Sequence, residues 1–110
     1  MLGDLKAWFR RKEYYQQGDV QLYPHAIPKG VTLKFKNVVE EGEHTGHAHR
    51  LEGTGFNFYA KDGDKYLRII RTTALSHEEH NKIDIPPGDY KVGKIRQEDP
   101  FERKISEIHD

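Results

Sequence analysis

Cysteine is absent from the chain, so it can build no disulfide framework, no thiolate zinc site and no thiol nucleophile. An excess of one charge is lacking as well. Eighteen Lys and Arg balance eighteen Asp and Glu, so no global field draws in nucleic acid or an anionic membrane, and only local patches stay open. No stretch approaches the roughly 20 apolar residues of a membrane-spanning helix. Charges interrupt Leu2 to Tyr15 too often for the apolar core of a signal peptide. These absences predict a cytoplasmic protein with no membrane partner. Several catalytic signatures are also missing: the glycine-rich phosphate loop, the Gly-x-Ser-x-Gly elbow and the His-Glu-x-x-His metalloprotease pattern. His77-Glu78-Glu79-His80 is one residue too short for the last. There are no heptads, internal repeats or low-complexity tracts.

What is present suits one small domain. The chain has 110 residues, 35% hydrophobic and 33% charged, enough for a thin core under a wet surface. Residues 3–16 predict a short helix, with Asp4 as N-cap and Leu5, Trp8 and Phe9 on one face. Val20 to Tyr23 begins a strand. Val31 to Lys36 alternates strictly, which predicts a strand burying Val31, Leu33 and Phe35 on one face. Asp62-Gly63-Asp64 between Thr54–Ala60 and Lys65–Arg71 is a hairpin signal. Ile83 and Ile85 lead into the Pro86-Pro87-Gly88-Asp89 turn, and Tyr90 to Arg96 reads as a strand with a bulge near Gly93. Asp99-Pro100-Phe101 resembles a helix start, with a terminal strand over 104–108 as the alternative. The expected fold is mainly β: a small antiparallel β-barrel or sandwich of six or seven strands, with a short N-terminal helix and a short C-terminal helix or strand. Residues 1–16 are read as a helical extension and 17–110 as a single β-domain.

The functional signal is histidine. Five of the seven histidines fall in Glu43-His44-Thr45-Gly46-His47-Ala48-His49-Arg50 and Ser76-His77-Glu78-Glu79-His80. Two-residue spacing puts His47 and His49 on one face of a strand. Three-residue spacing puts His77 and His80 on one helical turn, which Ser76 and Glu79 could close as a capping box. If the pairs meet, His47, His49, His77 and His80 form a nitrogen set for a divalent metal ion such as Zn, Fe, Ni, Cu or Mn. Glu43, Glu52, Glu78 or Glu79 could add oxygen. The same imidazoles could instead act as general acid and base, with His47, His80 and Arg50 as catalytic residues of a phosphodiesterase or nuclease. Tyr66, Arg68, Arg71 and Arg96 would then line a groove for nucleic acid.

Two resemblances add to this reading. Gln17-Gly18-Asp19-Val20, Glu41 to Arg50, Tyr66-Leu67-Arg68, Leu75 to His80, Ile85 to Tyr90 and Asp99-Pro100-Phe101-Glu102 look like a family of small hypothetical proteins of bacteria and their phages. The likeness runs from about Gln17 to the C-terminus and implies no particular activity. The weaker resemblance is to cupins, to whose first motif His47-Ala48-His49 with Glu52 is similar; it implies a cupin-like β architecture. Three function classes follow: a metal-binding β-domain that could be a metal-dependent enzyme, a metal-independent nuclease, and a non-catalytic phage accessory or structural module. In the third, the N-terminal helix with Trp8 and Phe9 could join subunits of a homo-oligomer.

Overall fold

A computed structural model of the chain describes residues 14–41 and 46–95. They form ten strands: β1 (Tyr15–Gln17), β2 (Val20–Pro24), β3 (Thr32–Lys34), β4 (Val38–Glu41), β5 (Ala48–Leu51), β6 (Phe56–Lys61), β7 (Asp64–Ile69), β8 (Thr73–Ser76), β9 (Ile83–Ile85) and β10 (Gly88–Lys94). A six-stranded sheet runs β1-β2-β10-β7-β6-β3 and a four-stranded sheet runs β4-β5-β8-β9, with every pairing antiparallel. The chain alternates between the sheets, leaving the larger one after β3 and again after β7. The sheets do not close into a barrel. The expectation of a mainly β, sandwich-like fold holds in that coarser form.

One core lies between the sheets. Val20, Leu22, Phe58, Leu67, Ile69 and Tyr90 come from the larger sheet, and Val39, Leu51, Leu75 and Ile85 from the smaller. Burying a branched aliphatic or aromatic side chain of this kind is worth roughly 1.5–3 kcal/mol. Lys65 ties the layers together from the side, donating to the Val39 carbonyl at 2.9 Å and to Glu40 Oε2 at 2.8 Å.

The Asp62-Gly63 hairpin forms as the sequence predicts. Lys61 pairs with Asp64 across a two-residue turn, and both central residues have positive φ, 50° at Asp62 and 85° at Gly63. That is the type I′ geometry whose twist matches the strands. Four other expectations are corrected. Tyr15 and Gln16 belong to β1, not to the end of a helix, because pairing with β2 and the edge-on contact of Tyr15 with Tyr90 outweigh local helical preference. The remainder of the expected N-terminal helix, the C-terminal element from Asp99, and residues Glu43 and His44 lie outside the described residues. No bulge occurs at Gly93, which pairs in register with Gln21; the register shifts instead in β4, between Val38 and Glu40. Residues 78–80 form bends, not a helical turn, because the Ser76 hydroxyl donates to the Arg50 carbonyl across the β5–β8 ladder instead of capping.

The fourth correction concerns the cleanest alternation in the chain. Leu33 is 45% and Phe35 94% exposed, and Val31 is only half-buried. β3 is an edge strand, and Leu33 pairs with Tyr59, whose neighbour Phe58 points into the core. Directly paired residues share a face, so Leu33 stands on the outer side of the sheet.

Candidate functional site

β5 brings His49 to the edge of the core, where its side chain is 1% exposed. Its partner is set by the β1–β2 hairpin, whose turn, Gly18-Asp19, has Gly18 at φ +58°. Gln17, at the end of β1, is also buried, and its amide nitrogen donates to the carbonyls of Leu75 at 2.8 Å and Asn81 at 2.9 Å. Both acceptors are carbonyl oxygens, so the amide cannot be reversed. Its Oε1 therefore faces His49 Nδ1 at 2.8 Å, and Nδ1 must carry a proton. His49 Nε2 is left facing Asp19 Oδ1 at 3.3 Å. In a neutral ring that contact is acceptor against acceptor, and only a cation between them, a proton or a metal, makes it favourable. Burial pushes His49 below the ordinary imidazole range and His77 pushes the same way, while Asp19 pulls upward and His80 adds a smaller lowering.

The second histidine pair does meet the first. His77 lies 4.4 Å from His49 and 4.6 Å from His80 between ring centroids, and 5.7 Å from His47. The His80 ring is nearly parallel to His49 at 6.0 Å and rests on the hairpin turn. A Cβ at Gly18 would stand 2.5 Å from His80 Nε2, so glycine makes room for that imidazole. His77 Nδ1 accepts the Glu79 backbone N–H at 3.0 Å, which places the proton of a neutral His77 on Nε2. His47 Nδ1 sits 3.3 Å from Glu79 Oε1 at the exposed rim. Among the described residues, no three His, Asp or Glu side chains converge as they stand on one metal position.

Glu78 holds the two histidine segments together. It accepts the Ala48 backbone N–H at 2.8 Å and pairs with Arg50 Nη1 at 2.6 Å. The Ala48 hydrogen bond first, and Arg50 second, hold its carboxyl down at about 2. Arg50 is thereby committed to a structural pair instead of an open anion site. Glu52 is likewise engaged at the far end of β5, with Lys82 at 3.1 Å. Of the proposed groove residues, Tyr66 and Arg68 lie on the larger sheet and Arg71 on the β7–β8 connection; Arg96 lies outside the described residues. Sequence spacing found the four imidazoles but missed Gln17 and Asp19. The available signal was the Gln17-Gly18-Asp19 break, in which a glycine turn is flanked by two side chains able to face back on a neighbour.

The family model described as Domain of unknown function (DUF8820) matches residues 16–95. The chain belongs to this family. The DUF8820 match begins inside β1 and ends just beyond β10, so it takes in both sheets and all four clustered histidines. No curated protein and no solved structure matches the chain. No helix among the described residues is long and apolar enough to cross a membrane.

Proposed function

We propose that the histidine cluster is a binding site for a divalent transition metal ion, centred on His49 and Asp19. The observation that carries this reading is the fixed orientation of Gln17, which presents the His49 Nε2 lone pair to a carboxylate oxygen at 3.3 Å. Two ligands bound tetrahedrally at about 2.0–2.1 Å stand about 3.3–3.4 Å apart, so the contact has the separation of two ligands of one ion. A carbonyl oxygen holding the distal N–H of a ligating histidine is also the usual outer support of such sites. His77 stands nearer to His49, but its Nδ1 is engaged by the Glu79 N–H, so His80 is the readier source of a third ligand. Its exposed ring lies against the turn that carries Asp19. His77 can join only by giving up the Glu79 N–H, and His47 and Glu79 form the rim. An ion with two or three protein ligands keeps a position for water, and from such a position it would polarise a substrate or supply hydroxide.

The test is metal binding by the untagged full chain, stripped with chelator and titrated with Zn(II) and Co(II). Binding tighter than about 10 μM, with Co(II) giving a visible band of low coordination number, is the expected result. Asp19→Asn and His80→Ala should each weaken it at least tenfold, while His25→Ala, remote from the cluster, should leave it unchanged. Millimolar binding in the wild type, or binding that ignores both substitutions, would overturn the reading.

A further inference from the structure

The outer face of the six-stranded sheet is unlike the rest of the surface. Strand register places Leu33, Tyr59, Tyr66, Lys91 and Tyr23 in one row across β3, β6, β7, β10 and β2. Each neighbouring register position, Phe58, Leu67, Tyr90 or Leu22, points into the core, so this row lies on the outer side, where Tyr66 is itself buried beside Lys91 and His25. At about 4.8 Å per strand the row spans roughly 19 Å. His25 extends it, 5.6 Å from the Tyr66 ring and 6.3 Å from Tyr23. The Lys91 ammonium stands 5.8 Å above Tyr66. At the β3 end, Phe35 adds a ring that is 94% exposed.

Charge is distributed with the same asymmetry. Arg50, Lys65, Arg68, Lys82, Lys91 and Lys94 each face a carboxylate. Lys29 and Lys61 at the β3–β6 end of the row have no carboxylate within ion-pairing distance among the described residues; nor do Lys34 and Lys36 on the opposite side of the β3 edge, where Lys34 pairs with Phe58 and the Lys36 ammonium stands 5.0 Å from the Phe58 ring, and elsewhere only Arg71 shares that condition. Lys34 and Lys61 also line an open cleft of about 310 Å³ at the β6–β7 turn. Lysines on an edge strand deter edge-to-edge pairing, which accounts for Lys34. It does not account for rings standing on the face of the sheet.

We propose that this face binds single-stranded nucleic acid, with bases against Phe35, Tyr59 and Tyr23 and the phosphate backbone following Lys29 and Lys61. Aromatic rings on an open sheet accept any unpaired base, and uncompensated lysines at one end supply the counter-charge for phosphates. An acidic peptide would instead use the free edge of β3, where its backbone could pair, and would leave Tyr59 and Tyr23 without a role. A second copy of the chain would have to bury unpaired lysines against their equivalents.

The experiment is fluorescence anisotropy of a labelled oligothymidylate and an oligouridylate of roughly 12 nucleotides with the full chain, as a function of salt. Two lysine–phosphate contacts predict a log–log salt slope of about −1.4. Lys29→Gln/Lys61→Gln should bring that slope close to zero. Phe35→Ser and Tyr59→Leu should each weaken binding about 5-fold or more at constant salt. Phe35→Ser removes a side chain that contributes almost nothing to the core, so a loss there cannot be assigned to unfolding. No binding in low salt would overturn the proposal. So would equal affinity for a duplex, equal competition by polyglutamate with indifference to Phe35→Ser and Tyr59→Leu, or a dimer that forms through Phe35 and excludes the oligonucleotide.

Discussion

Two ends of this molecule handle exposure in opposite ways. Around His49, polar groups are taken out of water and set against one another: Gln17 makes three hydrogen bonds, and the His49 Nε2–Asp19 contact is the one that needs a proton or a metal to be favourable. Around β3, apolar groups are left in water. Leu33 and Phe35 stand 45% and 94% exposed beside lysines that face no carboxylate. A buried polar network stabilises only when every member is satisfied, so the first end tolerates little change. The second end contributes little to folding, so its residues answer to whatever meets that surface. The contrast separates substitutions that should unfold the protein from those that should alter only binding.

The sharpest form of the comparison sets two phenylalanines side by side. Phe58 is 1% exposed between the sheets, and Phe58→Ala should cost about 3–5 kcal/mol in urea unfolding. That is a large share of the roughly 5–15 kcal/mol available to a domain. A cost under about 1 kcal/mol would mean that the core is not the one described. Gln17→Leu comes next. It strands the His49 N–H and the carbonyls of Leu75 and Asn81, and about 2–4 kcal/mol of destabilisation is expected, with metal binding lost in parallel. If Gln17→Leu were neutral, the polar end would not be the constrained one. Gly18→Ala should follow at about 1–2 kcal/mol, since alanine must adopt φ near +58° and its methyl group must displace His80.

Acid should loosen the polar end before the rest. The Glu78 carboxyl is held from an ordinary 4.5 down to about 2, chiefly by the Ala48 N–H and next by Arg50. A depressed carboxyl contributes stability that is present above its unfolded value and lost as pH falls through its folded one. Thermal melts should therefore weaken between about pH 4.5 and pH 2, and Glu78→Gln should flatten the curve across that window. An unchanged curve in Glu78→Gln would show that the link between β5 and residues 77–80 carries no stability.

Much of the site was legible because two-residue and three-residue spacings are local facts, and His47, His49, His77 and His80 do converge. The hairpin at Asp62-Gly63 was legible for the same reason: the turn demands positive φ at two positions and the sequence offers residues that tolerate it. Gln17 and Asp19 were hidden because their roles depend on contacts 30 to 64 residues away, which no local pattern encodes. Val31, Leu33 and Phe35 misled for a related reason. Alternation says that a strand has two faces, but which face is covered depends on the strand's neighbours, and β3 has a neighbour on one side only. Ser76 and Glu79 matched a capping box, yet Ser76 was already claimed by the β5–β8 ladder.

The smallest expected effect is the most informative about the exposed edge. Phe35→Ser should change the urea midpoint by less than about 0.5 kcal/mol, because the ring is in water in the native and the unfolded chain alike. Loss of one exposed ring should, if anything, raise solubility. A destabilisation above about 1 kcal/mol would require Phe35 to be covered in solution by other parts of the chain or by another copy. Repeating the measurement over a hundredfold range of protein concentration separates those cases, because only association makes apparent stability depend on concentration. A concentration-independent, near-zero effect leaves Phe35 as an apolar ring that folding does not need, which is the condition for assigning it to binding.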